Sequence, residues 1–250
     1  MEGNLREFGI NLSVVIPAFN EASRISETVI DINQYLENQN FSYEIIVVND
    51  GSSDNTSEIV NHLKEHIPAL RLLDNPKNRG KGKVVRQGLL EANGCIRLFT
   101  DADNSTRINQ IEKLSPYLEE GYHIVIGSRA NKDANISVNQ PWYRIIIGKL
   151  GNKLVQALAV PGIKDTQCGF KVFTHHAVRL IFPKMTIDGW GFDIEALAIA
   201  RHLNLEIKEV GIEWTNHPES FFKPFDYFRV MQELCKICWN GLWKKYVNSR

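Results

Sequence analysis

The sequence predicts an α/β protein in which a mainly parallel sheet is flanked by helices. Short apolar runs rich in β-branched residues alternate with segments whose apolar residues have helical spacing. Such alternation is typical of parallel strands joined by crossover helices. Of the 250 residues, 43% are hydrophobic and 23% are charged, which excludes disordered and fibrous classes and allows a substantial core.

Each element of the first half is predicted from its own pattern. The apolar runs 12–17 (LSVVIP) and 43–49 (YEIIVVN) read as buried strands. Residues 22–36 carry one apolar residue per helical turn, and residues 54–66 form a second helix with Asp54 as its N-cap. The other predicted elements of this half are strands 70–73, 95–100 and 123–127 and helices 83–92 and 108–118.

The second half is less regular, and no repeat or linker divides it. Its predicted elements are helices 142–159 and 191–202, a strand over 206–214 and a strongly amphipathic, aromatic helix over 226–247. We therefore expect a catalytic domain over residues 1–214 and a C-terminal amphipathic helical appendage over residues 215–250.

The charge distribution limits the partners that this chain can have. Basic and acidic residues each number 29, so the net charge is zero, which argues against a nucleic-acid binder. From 221 to 250, six residues are basic and two acidic, and this segment is rich in phenylalanine and tryptophan. The pattern suits a helix lying in the interface of an anionic membrane surface, although packing on the sheet or a dimer contact also fits it.

Cysteine content and hydropathy predict the compartment. Four cysteines are too few to form a disulfide framework in a chain of this length, which indicates a reducing setting. We find no apolar run of 18 residues and no apolar signal-peptide core among the first residues. The expected location is cytoplasmic, peripheral at the cytoplasmic face of a membrane, and the oligomeric state is open.

The predicted topology locates the site before any motif is considered. In open α/β sheets, ligands bind outside the carboxyl ends of the strands. The segments that directly follow predicted strands are 17–21, 50–51, 101–103 and 127–129, and we expect their side chains to meet at one edge of the sheet.

Asp101 and Asp103 are the strongest local signal for chemistry. Two carboxylates one residue apart at a strand end can hold a hard divalent cation such as Mg²⁺ or Mn²⁺. The cation would bridge phosphate oxygens and neutralise a diphosphate leaving group. A solvated turn with a helix cap is the alternative, and the position after an apolar strand favours the metal site.

Three further segments carry polar groups that suit a phosphorylated ligand. Asp50 ends a buried strand and needs a partner, which the N–H of a base would supply, and a Gly–Ser loop follows it. Residues 79–83 (RGKGK) form a basic, glycine-rich helix entry that could contact a phosphate. Arg129 is either a bidentate phosphate clamp or a member of a surface ion pair.

Taken together, these motifs resemble a known family. The segments PAFNE (17–21), DGSSD (50–54), DAD (101–103) and GSR (127–129) look like family 2 glycosyltransferases of the GT-A fold, a Rossmann-like mixed sheet. The strings DTQCGFK (165–171) and GWGFDIE (189–195) are similar to those of dolichyl-phosphate β-glucosyltransferases, with polyprenyl-phosphate mannose synthases as close relatives.

The sequence departs from this family pattern in two places. It shows no counterpart of the N-terminal membrane anchor of eukaryotic members, and in place of the family's Gly-Ser-Lys it has PESF over 218–221. These departures bear on membrane engagement and acceptor choice.

The resemblance implies a role for each matching residue. The residues expected at the nucleotide-sugar are Pro17, Ala18, Asn20, Glu21, Asp50, Gly51, Ser52, Lys81, Asp101, Ala102 and Asp103. The residues expected to act in catalysis are Arg129, Gln167, Lys171 and Asp193, and those expected at the acceptor are Arg129, Lys171 and Trp190. Asp101 and Asp103 are the expected metal ligands.

The implied reaction is an inverting transfer of a hexose, glucose first, from a nucleotide-sugar to a polyprenyl or dolichyl phosphate. A phosphate acceptor is largely ionised near neutral pH and needs positioning more than a base. A GDP-mannose-dependent synthase is the first alternative. The second is transfer to a hydroxyl with Asp193 as the base, and the third is a non-catalytic binding module, against which the intact pair of aspartates argues.

Overall fold

The computed structural model describes residues 9–131, 133–136, 142–215, 224–242 and 246. The strands are β1 (Leu12–Ala18), β2 (Tyr43–Asn49), β3 (Leu70–Asp74), β4 (Ile96–Thr100), β5 (Ile124–Ser128), β6 (Asn135–Ile136), β7 (Phe170–Thr174), β8 (Ile207–Gly211) and β9 (Glu213–Trp214). The helices are α1 (Ile25–Glu37), α2 (Thr56–Lys64), α3 (Lys81–Glu91), α4 (Ile111–Glu119), α5 (Trp142–Leu158), α6 (His175–Ile181), α7 (Phe192–His202) and α8 (Pro224–Leu242).

Seven strands form one sheet in the order β3-β2-β1-β4-β7-β5-β8, and β6 pairs with β9 in a separate ribbon. All neighbours in the large sheet are parallel except β7, which runs antiparallel to both β4 and β5. This arrangement confirms the predicted fold class, a mixed and mainly parallel sheet flanked by helices.

The reversed strand β7 was absent from the sequence prediction, and it matters for the site. Its first residue, Phe170, pairs with Thr100 at the carboxyl end of β4. The loop before β7 therefore reaches the same edge of the sheet as the residues that follow β4. The strand β7 has only five residues, its apolar pattern is interrupted by Lys171, and a helix begins at His175 directly after it. Such a short segment gives little sequence signal for a strand.

The core occupies both faces of the sheet. Alternate residues of β1 point to opposite faces of the sheet. Val15 packs in the apolar cluster on one face, and Val14 and Ile16 pack in the cluster on the other. Helices α3, α6, α7 and α8 cover the first face, and α1 and α4 cover the second. Because both faces are covered, β1 is buried along its whole length, as is typical of central parallel strands.

Two local predictions need correction. The strand expected over 206–214 is divided into β8 and β9, because β8 pairs with β5 only as far as Ser128, where β5 ends. Helix α2 begins at Thr56, with Asn55 rather than Asp54 at the N-cap position. The Asp54 carboxylate accepts hydrogen bonds from the backbone N–H groups of Thr56 and Ala22, so it ties the start of α2 to the loop after β1.

Helix α8 packs one of its sides on the protein. Leu234, Ile237 and the later residue Tyr246 are buried in the cluster that contains α7. The division at residue 215 stays a prediction, and the departure at 218–221 lies outside the described residues. In the part of the chain that the structure describes, none of the helices combines the length and apolar character that crossing a membrane requires.

Candidate active site

The loops that follow β1 and β2 interlock at the carboxyl edge of the sheet. Pro17 and Ala18 are the last residues of β1, and the carbonyl of Ala18 accepts from the N–H of Asp50 at 2.8 Å. Asn20 has a φ of 56°, a conformation that asparagine tolerates better than most residues. Its N–H donates to Ser52 Oγ at 2.8 Å, so the two loops hold each other in place.

Asp50 organises the start of α3. Its two carboxylate oxygens accept from the N–H groups of Arg79, at 2.7 Å, and Gly80, at 3.0 Å. Burial raises the pKa of Asp50, while the two N–H groups oppose this shift. The predicted contact with a base stays a prediction, since each oxygen retains a second lone pair.

Lys81 is the first residue of α3 and points at the strand end of β4. Its Nζ lies 2.6 Å from Oδ1 of Asp101, 5.5 Å from the ring centroid of Phe99 and 5.2 Å from that of Trp190. Burial opposes the charge, but Asp101 raises the pKa of Lys81 above its ordinary value. A cation therefore sits against one oxygen of the predicted metal ligand Asp101.

The carboxylates of Glu21, Asp101 and Asp103 lie near one another at this edge of the sheet. Burial raises the pKa of Glu21, and the negative charges of Asp103 and Asp101 raise it further, although Arg24 opposes them with an ion pair at 2.5 Å. Asp103 Oδ1 accepts from the N–H of Ser105 at 3.0 Å. Carboxylate oxygens that lie near further negative charge suit Mg²⁺ or Mn²⁺. Asp101 and Asp103 therefore fit the metal site that the sequence predicts.

Ala102 and Gly169 shape the space around the two aspartates. Ala102 is buried, and its carbonyl accepts from Thr28 Oγ1 at 2.7 Å. The carbonyl of Gly169 accepts from the N–H of Asp101 at 3.2 Å. A Cβ atom on Gly169 would overlap the Asp101 carboxylate, so a larger residue there would displace that side chain. Gly169 belongs to the DTQCGFK string, but the sequence alone gave it no role, because the contact depends on the antiparallel course of β7.

We expect Gly169→Ala to weaken Mn²⁺ binding roughly tenfold or more, the usual cost of disturbing a group that orients a metal ligand. The added methyl group would displace the Asp101 carboxylate, and isothermal titration in the presence of a nucleoside diphosphate measures the loss. Gly151→Ala is the matched control, because a Cβ there meets nothing within 4 Å. An unchanged affinity in a folded Gly169→Ala protein would contradict this role.

Arg129 makes a bidentate ion pair at the end of β5. Its Nε and Nη2 each lie 2.8 Å from a carboxylate oxygen of Asp165, whose side chain is buried. Burial opposes ionisation of Asp165, but the guanidinium lowers its pKa below the ordinary value. The N–H of Asp165 in turn donates to Glu209 on β8 at 2.8 Å. A phosphate contact by Arg129 stays a prediction. The ion-pair partner of Arg129, Asp165, is buried and does not lie on the surface.

Lys171 and Asp193 form a second, fully buried pair. Their Nζ and Oδ1 atoms lie 2.5 Å apart, and the side chains are 1% and 7% exposed. Lys171 also donates to the carbonyl of Cys168. Burial raises the pKa of Asp193, while Lys171 and Lys81 oppose the shift. The predicted direct roles of Lys171 at the acceptor and of Asp193 as a base stay predictions, because each group already has a charged partner.

The remaining predicted residues lie around the same edge. Gln167 is exposed in the loop before β7, and Trp190 is half-buried in the turn before α7. Gly51 follows Asp50 with a φ of 68°. The structure thus brings the nucleotide, metal and acceptor candidates to one side of the sheet.

Comparison with known proteins agrees with this geometry. The model of the family described as glycosyl transferase family 2 matches residues 13–182. A dolichyl-phosphate beta-glucosyltransferase of Trichomonas vaginalis is 39% identical over 242 residues, which cover 92% of this chain and 72% of that protein. The human protein of the same name is 35% identical over 227 residues, which cover 86% of this chain and 70% of that protein.

Solved structures show the same fold. Glucosyl-3-phosphoglycerate synthase from Mycobacterium tuberculosis, in complex with Mn²⁺, uridine-diphosphate-glucose and phosphoglyceric acid, superposes with a TM-score of 0.68 at 22% identity. That match covers 92% of this chain and 80% of the synthase. The family match, the relatives and the carboxylates after β4 agree with the resemblance found in the sequence, and the chain belongs to glycosyl transferase family 2.

Proposed function

We propose that this chain transfers glucose from UDP-glucose to dolichyl phosphate, or to a similar polyprenyl phosphate, with inversion at the anomeric carbon. The observation that carries the proposal is the presence of an intact pair, Asp101 and Asp103, at the end of β4 in a chain whose relatives are named dolichyl-phosphate beta-glucosyltransferases. The reaction forms a bond between an acceptor phosphate oxygen and the anomeric carbon, and UDP leaves with the electrons of the broken bond.

On the donor side, Asp101 and Asp103 would hold Mg²⁺ or Mn²⁺. A divalent cation bound there stabilises the negative charge that develops on the leaving diphosphate. Lys81 would place a second positive charge beside the same group, since its ammonium already lies at Asp101. The interlocked loops of Asn20 and Ser52 would border the nucleotide, with Asp50 oriented toward the base.

On the acceptor side, a dianionic phosphate supplies its own nucleophile. Its second pKa is about 6, so no strong base is needed near neutral pH. This requirement agrees with the pairing of Asp193 with Lys171, which places the carboxylate in a buried ion pair. Arg129, oriented by Asp165, is the proposed group that aligns the acceptor phosphate.

The test uses purified protein with Mg²⁺ or Mn²⁺ and a short polyprenyl phosphate. UDP-glucose and GDP-mannose are offered separately, and glycolipid is detected by mass. We expect glycolipid from UDP-glucose. Product from GDP-mannose alone would replace glucose by mannose, and no glycolipid from either donor, in a protein that binds nucleotide, would shift the proposal to hydroxyl acceptors.

We further propose that α8 rests on the cytoplasmic face of the membrane that holds the acceptor. Its outward residues recur at spacings of three and four and are exposed: Phe228, Met231, Cys235, Trp239 and Leu242. The opposite side packs in the core through Leu234 and Ile237. An apolar stripe with a basic tail suits insertion at the level of the lipid headgroups.

We expect Leu242→Ser to weaken binding to vesicles that contain anionic lipid. Leu242 is 80% exposed, and burying a leucine contributes about 1.5–3 kcal/mol, so affinity should fall roughly tenfold or more. Vesicle sedimentation measures the change. Phe41→Ser removes an exposed apolar residue outside α8 and serves as the control. Equal effects of the two substitutions would argue against a membrane-bound α8.

A further inference from the structure

The segment from Thr186 to Gly191 lies directly against the start of α3. A Cβ on Gly80 would overlap the carbonyl of Asp188, and a Cβ on Gly82 would lie 2.8 Å from the carbonyl of Ile187. The N–H of Lys83 donates to the carbonyl of Asp188 at 3.3 Å. Because backbone meets backbone here, the first turn of α3 cannot move independently of this segment.

The same segment reaches the carboxylates through Trp190. The indole ring lies 5.2 Å from Nζ of Lys81, a distance at which a cation is attracted to an aromatic face. The ammonium of Lys81 lies in turn 2.6 Å from Asp101. The position of Trp190 therefore influences the cation that shares a carboxylate with the proposed metal.

Helix α8 forms hydrogen bonds with both ends of the segment from Thr186 to Gly191. Glu233 Oε2 accepts from the N–H of Gly191 at 2.7 Å. Lys236 Nζ donates to the carbonyl of Thr186 at 3.1 Å, and Asn240 Nδ2 donates to the hydroxyl of Thr186 at 3.2 Å. Of these three contacts, the one made by Glu233 is at the end next to Trp190.

The turn from Gly189 to Gly191 closely surrounds the Glu233 carboxylate. A Cβ on Gly189 would overlap Oε1, and a Cβ on Gly191 would lie 2.8 Å from Oε2. Gly191 directly precedes α7, so the carboxylate also lies at the positive end of that helix. Nothing in the residue pattern of an amphipathic helix singles out Glu233, because its partner lies 42 residues away.

We propose that Glu233 is a positioning residue that couples α8 to the donor site. By holding the turn that carries Trp190, it keeps Lys81 directed at Asp101 and keeps the first turn of α3 in the geometry that accepts the diphosphate. The part of this inference that concerns turnover rests on the proposed function, whereas the part that concerns donor binding does not. Contact of α8 with a membrane would then be transmitted to the donor site through the turn that Glu233 holds.

The experiment compares Glu233→Ala, Glu233→Asp and Glu233→Gln with the wild-type chain. We expect Glu233→Ala to lower kcat/KM for transfer roughly tenfold to a hundredfold, the scale of a small misplacement at a reacting centre, and to weaken binding of Mn²⁺–UDP. Glu233→Asp moves the carboxylate away from the N–H of Gly191 by one methylene and should lose less activity and less Mn²⁺–UDP affinity than Glu233→Ala. Glu233→Gln keeps an oxygen for the N–H of Gly191 and should restore most of the affinity.

Ile237→Val is the matched control for loosened packing of α8. Ile237 is buried on the same helix and does not belong to the turn, so its substitution should lower Tm while Mn²⁺–UDP affinity well below Tm stays unchanged. The proposal is overturned if Glu233→Ala and Glu233→Asp bind Mn²⁺–UDP as the wild type does. It is also overturned if Ile237→Val, at an equal loss of Tm, loses as much affinity. If the wild type forms no glycolipid, the proposed function fails, and the binding series still decides the role of Glu233.

Discussion

Replacing Asp103 with alanine or asparagine should reduce glucosyl transfer about 10³-fold or more, because a metal-bound carboxylate supports several kcal/mol of charge stabilisation in the transition state. Asp103 lies in the loop that follows β4, and its Oδ1 accepts from the N–H of Ser105 at 3.0 Å. Steady-state assays measure the loss of transfer, and Mn²⁺ titration in the presence of UDP measures the loss of metal binding.

Two controls separate this effect from a loss of folding. Asp103→Asn retains an oxygen for the N–H of Ser105, so the turn should stay intact while the charge is lost. Glu58→Gln removes a carboxylate charge from an exposed position on α2 and should leave transfer unchanged. Transfer by Asp103→Asn within tenfold of the wild type would rule out Asp103 as a ligand of a required metal.

Replacing Lys171 with methionine should lower the free energy of unfolding by about 3–5 kcal/mol, because it leaves the carboxylate of Asp193 buried without its partner. The pair is nearly inaccessible to water, with Nζ and Oδ1 2.5 Å apart. Denaturant unfolding at pH 7 measures the loss. Lys64→Met removes an exposed lysine and is the control for the change in net charge.

The pH dependence of this loss has a definite sign. Burial already raises the pKa of Asp193, and removal of Lys171 takes away the main opposing charge. A carboxyl whose pKa is higher in the folded than in the unfolded state favours folding at low pH and loses that contribution as the pH rises through the folded-state value. The deficit of Lys171→Met should therefore shrink as the pH falls from 7 toward 5.

The double variant Lys171→Met with Asp193→Asn tests the same explanation independently. Removing both charges avoids an unpaired buried ion, so most of the lost stability should return. A double variant no more stable than Lys171→Met alone would show that the ammonium stabilises the fold through its bond to the carbonyl of Cys168 rather than through Asp193.

Much of the donor side could be predicted because the physics involved is local. A run such as LSVVIP at 12–17 is apolar enough to be a buried strand, and the carboxyl ends of parallel strands meet at one edge. Asp50 and Asp101 follow such strands directly, and Asp103 lies in the same loop as Asp101, so their position at one edge of the sheet followed from topology. The family resemblance added the nucleotide-sugar and the lipid phosphate, whereas the metal site already followed from the pair of aspartates.

The sequence by itself determined the alternation of elements, the edge at which the site lies and the two aspartates that follow β4. Only the tertiary structure decided the reversed course of β7 and the partners of the charged groups. Lys81 with Asp101, Arg129 with Asp165 and Glu233 with Gly191 lie 20, 36 and 42 residues apart. Such pairings depend on how strands and helices pack, because a buried charge finds its partner in space and leaves no periodic pattern along the chain.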